Sequence, residues 1–226
     1  MVQRLILSFT ALFYCLMGAA VTVEVANWRD GPPCGVRRGD LVFRRDNGVW
    51  SWFFISASSR DRRYSHAGII VSGGDSPVII HSDANEGTGC GCVRKQGWKD
   101  FFAESLDGAV YRLNVSPAER LAVAEEAELR LGVPFDSGFD MENTNKLYCT
   151  ELLRVSVNAA CKKNVIDSTS LANGNRLIAI DDCYKTNVTL ICSCKGADIR
   201  CENSKAARKV RLLELFKERV NDLLGK

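Results

Sequence analysis

The chain carries ten cysteines but only two histidines, His66 and His81, in 226 residues. Any imidazole chemistry, proton transfer or metal ligation, must run through those two side chains. Among the thiols, Cys149 stands apart, because the run Tyr148-Cys149-Thr150-Glu151-Leu152-Leu153 places it where an apolar helix begins. The unpaired N–H groups and positive dipole end of a helix start stabilise a thiolate. Such a thiol, a histidine that takes and returns its proton, and a third group that fixes the histidine ring form the apparatus of covalent acyl transfer. Two plainer readings stand beside it. Cys149 pairs with another cysteine, or each histidine is a satisfied core or surface residue. Composition alone leaves these alternatives open.

The histidines fall on one hairpin. His66-Ala-Gly-Ile-Ile-Val-Ser72 and Val78-Ile-Ile-His-Ser82 are β-branched runs joined by the turn-rich Gly73-Gly-Asp-Ser-Pro77. If Val71 faces Val78, His81 lies opposite Gly68 and His66 sits on the same face one diagonal away, roughly 7–8 Å between backbones. Any register in which paired residue numbers have an odd sum keeps both rings on one face; an even sum separates them.

Other segments supply the scaffold. Gly39–Arg45 reads as a short strand closed by the turn Asp46-Asn-Gly48, and Ala109–Asn114 as another. Trp50–Ala57 is apolar throughout, so periodicity does not decide between helix and strand. Residues 83–98 read as a Gly- and Cys-rich loop. Ser116-Pro-Ala-Glu119 is a capping box opening a helix to Leu131, with Gly132 as its stop. Cys149–Cys161 suits a largely buried helix, and Lys205–Leu224 an amphipathic one.

Composition places the chain among ordinary globular proteins: 46% hydrophobic, 25% charged, net charge +3. That balance does not point to nucleic acid. Residues 37–63 hold seven Arg against three Asp, and residues 195–226 nine Lys/Arg against five Asp/Glu, which are read first as solvated surface and second as a match for an anionic membrane surface or cell-wall polymer. The N-terminus has a basic start, an apolar centre and small residues at Gly18-Ala19-Ala20, so residues 1–20 read as a secretory signal peptide; an uncleaved anchor over residues 5–23 is the second reading. Loss of Cys15 with that leader leaves nine cysteines, most simply four disulfides and one free thiol. Zinc held by Cys90-Gly-Cys92 and Cys192-Ser-Cys194 with Cys201 is a weaker reading in an oxidising compartment, so no metal and no cofactor are expected.

With these pieces in order, the chain resembles a known family. Gly39-Asp40-Leu-Val-Phe, Tyr64-Ser65-His66-Ala67-Gly68-Ile69, Pro134-Phe135-Asp136-Ser-Gly-Phe139-Asp140, Tyr148-Cys149-Thr150-Glu151-Leu152 and Ser170-Leu171-Ala172-Asn173 follow the sequence order of the YiiX/YebB-type permuted papain-like cysteine hydrolases, relatives of the NlpC-type cell-wall endopeptidases. The resemblance spans residues 36–190. It implies an α+β, circularly permuted papain-like (NlpC-like) fold, with a small antiparallel sheet carrying the histidine packed on helices, one of which carries the cysteine. By position it makes Cys149 the nucleophile, His66 the general base and acid, and His81 the group that orients His66. Phe135 stands where relatives often have Tyr, whose hydroxyl assists the oxyanion. The Cys149 N–H is then left to do so, with Tyr64 as its support. Glu151 is read as scaffold.

The expected function is an exported, extracytoplasmic cysteine hydrolase cleaving an amide bond in peptidoglycan stem peptides or related small peptides through a thioester. A lipid ester hydrolase or acyltransferase on the same fold is the nearest alternative, and a non-catalytic, disulfide-braced binding module the next. The expected organisation is a leader over 1–20, the hydrolase domain over 30–190, and a Cys-rich segment with the amphipathic helix over 191–226.

Overall fold

The computed structural model describes residues 28, 31–32, 34–85, 91–143, 145–172 and 175–195. The signal or anchor segment, Cys15, Cys90, Cys201 and the amphipathic helix of Lys205–Leu224 lie outside them. The elements, in chain order, are β1 (Leu41–Arg45), α1 (Val49–Ala57), β2 (His66–Ser72), β3 (Val78–Asp83), β4 (Cys92–Gly97), α2 (Trp98–Phe101), β5 (Asp107–Leu113), α3 (Pro117–Glu128), α4 (Cys149–Cys161), β6 (Ser170–Ala172), β7 (Asn175–Leu177), α5 (Ile180–Tyr184) and β8 (Val188–Lys195). Six strands form one sheet in the order β4-β3-β2-β1-β5-β8, every neighbouring pair antiparallel, and β6-β7 is a separate hairpin.

Alternation along the strands sorts the core into two layers. Leu41, Phe43, Ala67, Ile69 and Ile80 face α3 and α4 and pack with Leu152, Leu153 and Val157. Val42, Ile70, Ile79 and Val110 face the other way, onto Trp28, Trp98, Phe101 and Phe102. The helix start at Ser116 is as expected: Ser116 Oγ accepts from the Glu119 N–H at 3.2 Å and Glu119 accepts from the Ser116 N–H at 2.8 Å. Gly39, with φ of 84°, leads into β1 directly under α3, where a Cβ would overlap the Arg120 carbonyl.

Several expectations change. The undecided segment at Trp50 is helix α1. The supposed loop over 83–98 contains strand β4, in which only Val93 is buried and no apolar alternation runs along the residues. The boundary at 190 falls inside β8, which extends the sheet to Lys195. Val71 does not face Val78, because a bulge between Ile70 and Ser72 shifts the pairing to Ser72–Val78. The partition into four disulfides and one thiol also fails. Cys34 is bonded to Cys192, whereas Cys92, Cys149, Cys161 and Cys183 carry free thiols, most of them buried. Among the described residues, no helix is long and apolar enough to cross a membrane.

Candidate active site

Beyond the bulge the hairpin keeps its odd-sum register, Ile69 opposite Ile80 and Ile70 opposite Ile79. Both imidazoles therefore share a face. His66 Nε2 lies 2.8 Å from His81 Nδ1, with the rings perpendicular. Gly68 makes the approach feasible, since a Cβ there would sit 2.6 Å from Ile79 Cγ2 and 3.3 Å from His81 Cβ. Phe101 of α2 covers both rings, at centroid distances of 5.7 and 5.3 Å. Because His66 spends Nε2 on His81, its Nδ1 is the nitrogen left for a reacting group.

Arg44 pairs with His66 across β1 and β2. Its guanidinium lies 4.4 Å above the Phe101 ring, donates to the Phe101 carbonyl and forms an ion pair of 2.9 Å with Asp46. Burial, and then the Arg44 charge, hold His66 well below the ordinary histidine value and push His81 down to about 3. Both rings are neutral near pH 7.

Cys149 is the first residue of α4, and three hydrogen bonds fix the turn that delivers it. Ser82 Oγ donates to the Leu147 carbonyl at 2.5 Å, Thr150 Oγ1 to the Ile178 carbonyl at 2.6 Å, and the Ile178 N–H to Tyr148 Oη at 2.8 Å. Glu151 accepts from the Tyr148 N–H at 3.2 Å, which is the scaffold role expected of it. Cys149 is only 1% exposed. Burial pushes its thiol up to about 12, outweighing the N–H groups of Ala67, Thr150 and Cys149 and the charge of Arg44, all of which pull it down. The thiolate expected at a helix start is therefore not the resting form: the end of the helix favours it, but removal from water costs more.

Cys149 and His66 line one cavity of about 460 Å³. Trp50, Phe54 and Phe135 form an aromatic wall, and Asp46, Asp83, Asp100 and Glu104 bring four carboxylates to it. Asp46 and Asp83 are paired with Arg44 and Arg94, whereas Asp100 and Glu104 form no ion pair among the described residues. Phe135 contacts Trp50 at 6.0 Å between ring centroids. Tyr64 does not line the cavity. Its ring is buried in the core between Phe43 and Tyr184, and its hydroxyl lies toward Tyr111. It cannot support an oxyanion from there. The Cys149 N–H, at a helix position with no intrahelical acceptor, is the donor that remains.

Arg44 and Gln96 are site residues that sequence reasoning did not single out. Arg44 read as one of a solvated basic cluster, and only the pairing of β1 with β2 brings it to His66. Among the described residues, no group of three His, Cys, Asp or Glu side chains is placed to hold a metal ion.

A family model described as permuted papain-like amidase enzyme, YaeF/YiiX, C92 family, matches residues 35–177. No curated protein matches the chain. The crystal structure of the metalloprotein yiiX from Escherichia coli O157:H7 superposes with a TM-score of 0.57 at 19% identity, over 69% of this chain and 96% of that one. At that identity the likeness is one of fold, the circularly permuted papain-like arrangement.

Proposed function

This chain belongs to the YaeF/YiiX family of permuted papain-like amidases, and from that premise we propose an extracytoplasmic cysteine amidase acting on peptidoglycan stem peptides or related small peptides. One observation carries the reading: a free thiol at a helix start lines the same cavity as His66, whose ring is hydrogen-bonded to the buried His81 behind it.

Cys149 Sγ attacks the substrate carbonyl carbon as its proton passes to His66 Nδ1, so thiolate and imidazolium arise together. The carbonyl oxygen becomes an oxyanion beside the Cys149 N–H. Collapse breaks the C–N bond, His66 returns its proton to the leaving amine, and a thioester remains. His66 then takes a proton from water, which attacks the thioester; the acid leaves and Sγ is reprotonated. His81 holds the His66 ring throughout.

Asp100 and Glu104, the two cavity carboxylates with no ion pair among the described residues, favour a substrate bearing an amine, as stem peptides and small peptides do, and disfavour an anionic headgroup at the nucleophile. A second reading, an acyl ester, rests on the aromatic wall of Trp50, Phe54 and Phe135. A role for the basic segment 37–63 at an anionic membrane is supported less well, since Arg38, Arg44, Arg60 and Arg63 already form internal ion pairs. The Cys34–Cys192 bond supports an oxidising compartment, reached in this proposal through a leader over residues 1–20. Incubating wild type and Cys149→Ala with muropeptides and with lipid esters, followed by mass spectrometry, tests the mechanism. Amine release by wild type alone is expected, and equal turnover by both proteins would sink it.

A further inference from the structure

The face that carries the two imidazoles ends in a pair of unsatisfied atoms. Among the described residues, His81 Nε2 and Gln96 Oε1 are both buried without a hydrogen-bond partner. The register of β3 with β4 sets His81 opposite Arg94 and Ile79 opposite Gln96, so Gln96 is the diagonal neighbour of His81 on the same face, and its side chain is turned to the His81 ring. The charged groups facing the ring pair are Arg44 from β1, Asp83 from β3 and Arg94 from β4. Asp83 already accepts from the Asn85 N–H and from Arg94, whereas Gln96 Oε1 is a buried acceptor that still lacks a donor, which makes Gln96 the matching partner for Nε2.

We infer that Gln96 is a positioning residue: its carbonyl oxygen accepts from His81 Nε2–H and thereby sets the tautomers of both histidines. The logic is a chain of donors and acceptors. A neutral imidazole has one N–H and one lone pair, so a His81 that donates from Nε2 must accept at Nδ1. The atom 2.8 Å from that lone pair is His66 Nε2, which must then carry the hydrogen. His66 is left with a bare Nδ1, the form able to take the proton of Cys149. The opposite orientation of the Gln96 amide would reverse every link and leave His66 with Nδ1–H, unable to act as the base. The tautomer assignment stands on the hydrogen-bond chain, and its catalytic consequence rests on the proposed role of His66.

The test needs no substrate. The chain has only two histidines, so long-range 1H–15N correlation spectra of the full chain without a histidine tag, near pH 7, show two imidazoles and report which nitrogen of each is protonated. Both rings as Nε2–H in the wild type are expected, and any other pattern would overturn the inference. Gln96→Leu removes the acceptor and is expected to bring in Nδ1–H signal, while Gln96→Glu, which can only accept, is expected to keep both rings as Nε2–H. Unchanged tautomers in Gln96→Leu, or loss of the pattern in Gln96→Glu, would equally count against it. In turnover, Gln96→Leu should lower kcat about tenfold at unchanged KM, with Gln96→Glu recovering most of the loss. If the amidase reading failed, all three proteins would be inactive, yet the spectra would still decide the tautomers.

Discussion

At the scale of single residues, the reacting groups start neutral. Cys149 rests as a thiol and His66 as a free base, the one because burial raises it and the other because burial and Arg44 lower it. A base whose value is depressed stays unprotonated as pH falls, so kcat/KM should hold level through pH 6.5, the ordinary histidine value. A pH–rate profile with its acid limb centred there would contradict this. Glu151 shows the opposite shift: burial, with Asp136 and Asp140 nearby, raises it from 4.5 to about 8. The native state then binds the proton more tightly than the unfolded chain, so the stabilisation is present in full below pH 4.5 and is lost as pH rises through about 8. Glu151→Gln should flatten that decline, as read from urea midpoints at pH 5 and pH 9. Cys149, His66 and His81 were legible in the sequence because imidazoles are scarce and strand alternation fixes which face each occupies. Arg44 and Gln96 were not, because their roles exist only in pairings between strands that the chain itself does not rank. The protonation state of Cys149 is not legible there, because a helix start is a local feature, whereas burial depends on everything packed around it.

Elements explain which parts of the scaffold could be read in advance. The β2–β3 hairpin, α3 and α4 have strong local signatures, in β-branched runs, a capping box and an apolar helical run. Strand β4 has none: of its six residues only Val93 is buried, so its place is given by pairing with β3 alone. Helix α1 was ambiguous for the reverse reason, being apolar on every side. The bulge between Ile70 and Ser72 moved the turn end of the hairpin without disturbing the register at Ile69 and Ile70, and the histidine geometry survived. Gly39 is where an element contact is tightest, joining a left-handed φ to close approach by α3. Gly39→Ala is expected to destabilise the fold by about 2–4 kcal/mol, measured by chemical denaturation. An unchanged midpoint would mean that β1 and α3 can separate without loss.

At the scale of the whole molecule, a covalent link joins distant parts of the described chain. Cys34, just before β1, is bonded to Cys192 in β8, at the edge of the sheet, with 158 residues of separation. Closing so long a loop restricts the unfolded chain, so reduction or Cys34→Ser should lower stability by about 3–5 kcal/mol, seen as a lower urea midpoint in the presence of reductant. The free thiols offer an internal control: Cys161→Ala breaks no such loop and should leave the reductant effect intact. The same bond makes the segment from β1 to β8 a closed ring as far as a protease is concerned. A single cut at exposed Lys163, in the turn after α4, would open the ring without releasing a fragment. The nicked protein would run as one species on a non-reducing gel and as two once the bond is reduced. Its halves, still tethered, could keep Cys149 and the histidines, which would lie on the same side of that cut, within one folded body.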